Sequence, residues 1–429
     1  MEYQEYLTKK RDYQYLGHEF LLDIKHGCLN YKPGKGKTYP CIDAIRDIDK
    51  SLNGNAKVLI LSTATSVKKM WEEEIVPQNI LPKNTVIISY NSAIVDNTRQ
   101  RLLKIKWDII VADECHKIKS HNSKSSKLVY QLTKKCKYVF GLTGTPRGNS
   151  DVDIYCQFHN LNIGEWGKIS YTQFIDQVCD IDQKFSHGAM IKVPIGINAK
   201  YRAGWERNIA MYTQRVDYDE DDNMPDLNTV VHKILFVPSK EYLAAEKGVL
   251  SCSDYETTLT KLSVISKLQQ AANGFLYIPN DDGENKIVRF QHNNKLDWLV
   301  NNLNNEPTVI VYKFQADLAD IQLLLNTKGI TSTDDITSFK TGKYNVLLLQ
   351  CSQCDSYNLQ MCNRIIFYTM DYSFINFDQM CKRVWRMGQT KPVQVDILIA
   401  DNTMEEKVWK IVNNKQKLAD LFFAIKSGV

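Results

Sequence analysis

A chain of 429 residues, 43% of them hydrophobic, is too long for one core and is expected to divide into two or three domains, which excludes a single small module. Its 54 basic and 49 acidic side chains leave a formal charge of only +5, so contact with a polyanion has to come from a local basic surface. Eleven cysteines without a secretory leader read as reduced thiols rather than a disulfide framework, and no apolar run approaches the roughly 20 residues that cross a bilayer.

Along the chain, Cys28 and Leu29 belong to a first strand, and short β-branched runs follow at 58–61, 86–88, 109–112 and 138–142. Runs of this kind, between helix-like segments, read as buried parallel strands. The stretch from about 166 to 289 is more polar and holds an acidic run at 217–222 and a helix-like segment at 255–272. The acidic run lacks the glycine and terminal glutamate of a calcium loop and reads as a solvated loop. A second set of strands is expected at 309–312, 346–349, 365–368 and 393–399, with an amphipathic helix over 318–326. The fold class is therefore α/β with two mainly parallel sheets flanked by helices. The expected domains are an N-terminal lobe over 1–235, with a polar excursion from about 166, a helical connector over 236–290 and a C-terminal lobe over 291–429.

Three segments carry chemistry. Pro33-Gly34-Lys35-Gly36-Lys37-Thr38 has the Gly-Lys-Thr ending of a phosphate-binding loop, with Tyr31 where the first glycine is usual. Gly34 and Gly36 let backbone N–H groups around Lys35 turn toward phosphate oxygens, Lys37 reaches the β and γ phosphates, and Thr38 holds magnesium. The run 109–114 is an apolar strand ending in Asp113, placed to hold magnesium, and Glu114, placed to activate water. In Leu142-Thr143-Gly144-Thr145-Pro146 the hydroxyls of Thr143 and Thr145 are candidates to bond the turn that ends at His116 and to report nucleotide state. The implied cofactors are ATP and Mg2+. Cys351 and Cys354 form a Cys-x-x-Cys pair, with Cys362 and Cys381 further on; without a second well-spaced pair they read as free thiols rather than a zinc site.

Taken in order, these segments resemble superfamily 2 helicase-like ATPases, and more narrowly the Swi/Snf group of double-stranded DNA translocases. Asp113-Glu114-Cys115-His116-Lys117-Ile118-Lys119 is similar to that group's extended second motif, with Cys115 where Ala or Gly is usual. Gln379-Met380-Cys381-Lys382-Arg383-Val384-Trp385-Arg386-Met387-Gly388-Gln389 matches its sixth motif and is the most specific signal in the chain. The resemblance implies two RecA-like P-loop lobes, with Gln379, Arg383 and Arg386 serving ATP hydrolysis. Arg383 and Arg386, three apart, are expected to share a helix face and stabilise charge on the transferring phosphoryl group from the opposite lobe.

Other matches follow in the family's order. Arg11-Asp12-Tyr13-Gln14 resembles the segment whose glutamine contacts adenine, and Thr65, Ser66 and Trp71 sit where the family's first-lobe DNA-backbone motif lies. The run 309–314 resembles the strand that opens the second lobe, and 402–408 resembles the start of the closing helix, where Thr403 and Glu406 suit a capping box. The fifth motif runs from Ser352 to Leu359 without a glycine; Ser352 and Asn358 are its nucleic-acid candidates. Residues 372–374 replace the family's aromatic-Asn-Pro step, and the middle of the chain matches only through 216–227 and 267–277.

What the resemblance implies is an ATP-dependent motor on nucleic acid, with duplex DNA favoured and held through backbone phosphates, acting in replication, recombination or repair. A strand-separating DNA or RNA helicase and an ATP-regulated clamp or loader are the alternatives. A chain that is nearly all motor fits a compact bacterial, phage or viral member in the cytoplasm, that of the host for a phage, without membrane contact and with room for a protein partner.

Overall fold

The computed structural model describes residues 2–144, 151–186, 189–218, 224–252, 255–259, 261–279, 285–304, 306–353 and 358–413. The chain forms two compact units, Met1–Asp221 and Asp222–Val429.

The first unit is built on a six-stranded sheet. Its strands are β1 (His26–Tyr31), β2 (Lys57–Ser62), β3 (Asn84–Ser89), β4 (Ile109–Asp113) and β5 (Tyr138–Leu142). An antiparallel hairpin, β6 (Cys179–Ser186) with β7 (Ala189–Ile197), precedes the sixth strand, β8 (Thr213–Val216). The sheet order is β3-β2-β4-β5-β1-β8, parallel at every step.

Continuous apolar runs are what a sheet covered on both faces requires, because successive side chains alternate between faces. Val58, Ile60, Ile109 and Val111 pack with Cys41, Ile42 and Ile45 of the helix Thr38–Ser51. Leu59, Leu61, Ile110 and Ala112 pack on the other face with Leu128, Tyr155, Phe174 and Trp205. The N-terminal residues are pinned to the first of these helices, whose buried Asp43 accepts from the Tyr6 hydroxyl at 2.8 Å and the Lys10 ammonium at 2.7 Å.

The second unit repeats the plan. It opens with β9 (Leu227–Ile234), followed by two hairpins, β10 (Val249–Cys252) with β11 (Tyr255–Thr258) and β12 (Phe275–Pro279) with β13 (Asn285–Arg289). Then come β14 (Thr308–Tyr312), β15 (Ser332–Thr333), β16 (Val346–Gln350), β17 (Arg364–Phe367) and β18 (Val393–Ala400). The sheet order is β15-β16-β14-β17-β18-β9, again all parallel.

Three expectations are corrected here. The segment Leu227–Ile234, placed at the end of the first lobe, pairs with β18 from Val393↔Leu227 to Ala400↔Ile234 and so belongs to the second sheet. It is an edge strand with mostly exposed side chains, so it shows no continuous apolar run. The helix-like segment 255–272 is a strand followed by the helix Lys261–Ala272. The Thr403 cap is shifted by one: its hydroxyl accepts from Glu405 N–H at 3.2 Å, while the Glu406 carboxylate accepts from Asn402 N–H at 3.2 Å.

A buried polar knot fastens the hairpin region to the second sheet. The Lys295 ammonium, with no exposed surface, donates to Glu405 at 2.6 Å, Asn273 Oδ1 at 3.0 Å and the Tyr368 carbonyl at 3.1 Å. Asn273 in turn donates to Asp317 at 2.8 Å. Among the described residues no helix is long and apolar enough to cross a membrane.

Candidate nucleotide-binding site

The phosphate loop lies between β1 and the helix Thr38–Ser51. Gly34 and Gly36 adopt φ of 91° and 71°, left-handed values that side chains disfavour, and a Cβ on Gly36 would come within 2.6 Å of Gln14 Nε2. The loop's carbonyls are held from behind. Pro33 O accepts from the Tyr218 hydroxyl at 2.8 Å, Lys35 O from the Tyr13 hydroxyl at 3.2 Å, and Gln14 Nε2 lies 3.3 Å from both Lys35 O and Gly36 O.

Gln14, expected to read adenine, is placed against this loop, and its Oε1 accepts from Arg11 N–H at 3.0 Å to close the first turn of the helix Asp12–Ile24. The Lys35 side chain, expected among the ATP-binding residues, is buried, its ammonium 5.2 Å from the Tyr13 ring centroid, and its backbone N–H donates to Lys32 O at 3.0 Å. Tyr31 is also buried, its hydroxyl 2.8 Å from Tyr13 O and 2.6 Å from Gln214 Oε1. Gly17 makes the room: a Cβ there would overlap that hydroxyl.

Asp113 and Glu114 stand at the end of the central β4. Asp113 is buried, and its Oδ2 accepts from Ser62 Oγ at 2.7 Å and Trp71 Nε1 at 3.2 Å. Burial raises its pKa, and the neighbouring Glu114 charge adds to the rise; Lys37 and the two donors oppose it. Glu114 has φ 50° and ψ 50°, a left-handed backbone that costs a non-glycine residue about 1–3 kcal/mol and is typical of functional turns. This turn aims Glu114 at two partners: Lys37 Nζ lies 3.3 Å from its Oε1 and His116 Nδ1 3.3 Å from its Oε2. The same His116 nitrogen is 3.3 Å from Thr143 Oγ1, so loop lysine, glutamate, histidine and threonine form one line. Thr145 lies outside the described residues.

The donor set fits magnesium. Thr38 and Asp113 offer hard oxygens, and a buried carboxylate raised by a second carboxylate favours a divalent cation. Sequence reasoning missed Ser62, Tyr13 and Tyr218, and also Tyr90, whose buried hydroxyl donates to the Asp113 carbonyl at 2.9 Å. Tyr13 and Tyr218 fall in the matched segments 11–14 and 216–227, where nothing marks the tyrosine itself, and Ser62 and Tyr90 sit at ordinary strand and helix ends.

In the second unit, the helix Phe374–Val384 holds Gln379, buried, and Arg383 near its end. The expectation that Arg383 and Arg386 share a helix face is corrected. The helix stops at Val384, Trp385 is extended with φ −85° and ψ 91°, and Arg386 lies in the following turn, where its carbonyl accepts from Gln389 N–H at 3.0 Å. Gln389 Nε2 then donates to Cys362 O at 2.6 Å, and the Arg383 carbonyl accepts from Leu359 N–H at 3.0 Å, tying the end of the fifth motif to the sixth. Ser352 and Asn358 are exposed; residues 354–357 lie outside the described set, Cys354 among them. The Cys351 thiol donates to Thr369 O at 3.1 Å and burial pushes it well above its usual pKa, while burial pushes Cys362 up to about 12.

Residues 77–259 match the model of the SNF2-related domain, and residues 2–148 match that of the type III restriction enzyme res subunit. An uncharacterized ATP-dependent helicase, YqhH of Bacillus subtilis, is 23% identical over 85% of this chain and 70% of its own length. A SWI/SNF-related regulator of chromatin, subfamily A-like protein 1 of Drosophila melanogaster, is 23% identical over 90% of this chain and 52% of its own. Putative protein p41 of Acyrthosiphon pisum secondary endosymbiont phage 1 is 23% identical over 96% and 97% of the two chains.

The chain is thus similar to SNF2-related helicases, most directly over residues 77–259.

A solved structure, the Sulfolobus solfataricus SWI2/SNF2 ATPase core in complex with dsDNA, is 21% identical, covers 97% of this chain and 93% of that one, and has a TM-score of 0.40. Two sequence candidates, Trp71 and Ser66, are placed against expectation. Trp71 was expected at a nucleic-acid backbone, yet it has no exposed surface and points to Asp113. The reason is local winding: over Val67–Ile75 the helix widens, with Val76 N–H bonding Trp71 O five residues back, and Trp71 and Ile75 enter the core. Ser66 is buried, its N–H donating to the Thr63 hydroxyl at 3.2 Å, and Thr65 is partly exposed at the start of that helix.

Proposed function

We propose that this chain is an ATP-driven motor that hydrolyses ATP at the site on its first unit and moves along nucleic acid, duplex DNA above all. The observation that carries the reading is the line from Lys37 through Glu114 and His116 to Thr143, with Asp113 buried beside it. Lys37 is placed to meet phosphate charge, and the loop N–H groups around Lys35 to cradle it. Glu114, turned toward Lys37 and His116 by its left-handed backbone, accepts the proton of the attacking water in this reading. His116 Nδ1 stands between that carboxylate and the Thr143 hydroxyl, 3.3 Å from each, at the end of β5. Magnesium, held by Thr38 and Asp113, would neutralise charge on the transferring phosphoryl group. For Arg383 and Arg386 the sixth-motif resemblance implies a part in hydrolysis.

Similarity to SNF2-related helicases supports DNA as the partner, and partly exposed Thr65 with exposed Ser352 and Asn358 suit phosphate contact without base reading. Binding is then expected to weaken steeply with salt and vary little with sequence. A role in replication, recombination or repair in a bacterial or phage-infected cytoplasm follows the same reading.

The test is ATP hydrolysis by the purified chain alone and with duplex DNA, single-stranded DNA or RNA, beside Glu114→Gln. Stimulation by duplex DNA that vanishes in the variant, with triplex-strand displacement at distances that grow with time, supports the motor. Stimulation only by single strands with unwinding of forked substrates indicates a strand-separating helicase; ATP binding without hydrolysis indicates a clamp.

A further inference from the structure

Asp113 receives two hydrogen bonds on one oxygen. Ser62 Oγ, from the end of β2, and Trp71 Nε1 both donate to Oδ2, at 2.7 and 3.2 Å, and neither touches Oδ1. Two donors on Oδ2 fix the rotation of the carboxylate and leave Oδ1 clear of both. Trp71 has no exposed surface, and Asp113 is 2% exposed, so water does not compete for these bonds.

The residue before Trp71 makes the matching contact. Met70 Sδ lies 3.7 Å from Thr38 Oγ1. Adjacent residues of one helical turn therefore touch both side chains that the nucleotide reading gives to magnesium. In an ordinary α-helix neighbours point about 100° apart, and one of the pair would face away. The widened winding over Val67–Ile75 reduces that angle and brings both inward, and such wide turns recur at functional sites. The same segment begins at Thr63, which caps it through Ser66 N–H, and carries Thr65, so one rigid piece runs from the nucleic-acid candidates to the metal ligands.

We propose that Trp71 is a positioning residue for the magnesium site: its indole N–H, with the Ser62 hydroxyl, orients Asp113 and ties the segment 63–75 to the metal. A purely space-filling tryptophan would satisfy its N–H on any nearby carbonyl; this one uses the carboxylate that must meet the cation. The inference rests on the reading above, in which Thr38 and Asp113 hold magnesium.

The experiment measures binding of a fluorescent ATP analogue to the full chain as magnesium is titrated, starting from excess chelator, with thermal unfolding recorded on the same samples. Trp71→Phe keeps the ring and removes the donor; Ser62→Ala removes the other donor and serves equally if the first variant does not fold. Each is expected to raise the magnesium concentration for half-maximal tightening by about tenfold or more, as loss of an outer hydrogen bond to a metal ligand does. Metal-free nucleotide binding should stay within about twofold, and Ser62→Thr, which keeps the hydroxyl, should restore the wild-type midpoint. Unchanged magnesium midpoints in both donor-loss variants, with a normal wild-type response, overturn this proposal alone, whatever happens to thermal stability. A wild-type chain whose nucleotide binding ignores magnesium overturns the reading of the site and this proposal with it.

Discussion

The Lys37 ammonium lies 3.3 Å from Oε1 of Glu114, so the cation of the phosphate loop and the carboxylate expected to activate water are in direct contact. Both side chains are largely buried, at 17% and 14% exposure, so removing the lysine leaves the glutamate charge partly shielded from water. Lys37→Ala should lower the ATP hydrolysis rate by about 10²-fold or more, a loss larger than any accompanying shift of the denaturation midpoint accounts for. Phosphate-release kinetics beside a urea melt check both halves; a large loss of stability with activity retained would contradict the assignment.

Gly36 combines φ of 71° with Gln14 packed where a Cβ would go. Gly36→Ala should cost about 1–3 kcal/mol in the loop's native conformation and weaken nucleotide binding accordingly. Equilibrium binding of a nucleotide analogue is the measurement, and an unchanged dissociation constant would mean that the loop does not need this conformation to bind.

Lys295 and Glu405 form a fully buried ion pair at 2.6 Å. Removing one partner strands the other, so Lys295→Met should destabilise the second unit by about 3–5 kcal/mol. Adding Glu405→Gln, which keeps an acceptor for the Ala400 N–H now bonded to Glu405 Oε2 at 2.8 Å, should recover most of the loss. Chemical denaturation of Lys295→Met, Glu405→Gln and the double variant decides it, and an additive double variant would show that the pair is not coupled.

Asp317, buried at the start of the helix Gln315–Thr327, is pushed up to about 6 by burial, against the bonds it accepts from Phe314 N–H and Asn273. Its folded pKa is above the unfolded one, so keeping it ionised opposes folding. That penalty is complete above about pH 6 and fades as the pH falls toward 4. Relative to Asp317→Asn, the wild type should gain stability between pH 7 and pH 5, by no more than about 3 kcal/mol. A difference that is flat with pH would show that Asp317 does not titrate in this window.

What the sequence determined by itself was whatever depends on contiguous residues. Runs such as Lys57–Ser62 and Thr308–Tyr312 show as strands because a parallel sheet buried on both faces needs apolar side chains at every position. The order of phosphate loop, Asp113-Glu114 and the sixth motif identified the chemistry, because each motif packs its reacting groups into a few neighbouring positions. Edge strands escaped for the opposite reason. Thr213–Val216 and Leu227–Ile234 cover little, so their alternation is weak, and only backbone pairing across about 160–185 residues of chain assigns them to sheets. Tertiary structure alone decided which way Trp71 faces, since the widened helix that turns it toward Asp113 has no signature in the residues 67–75 themselves. It also decided the end of the sixth-motif helix at Val384, where the Arg383 carbonyl and the Gln389 side chain find partners at 359–362. Hydrogen bonds between distant segments set these directions, and no local propensity encodes them.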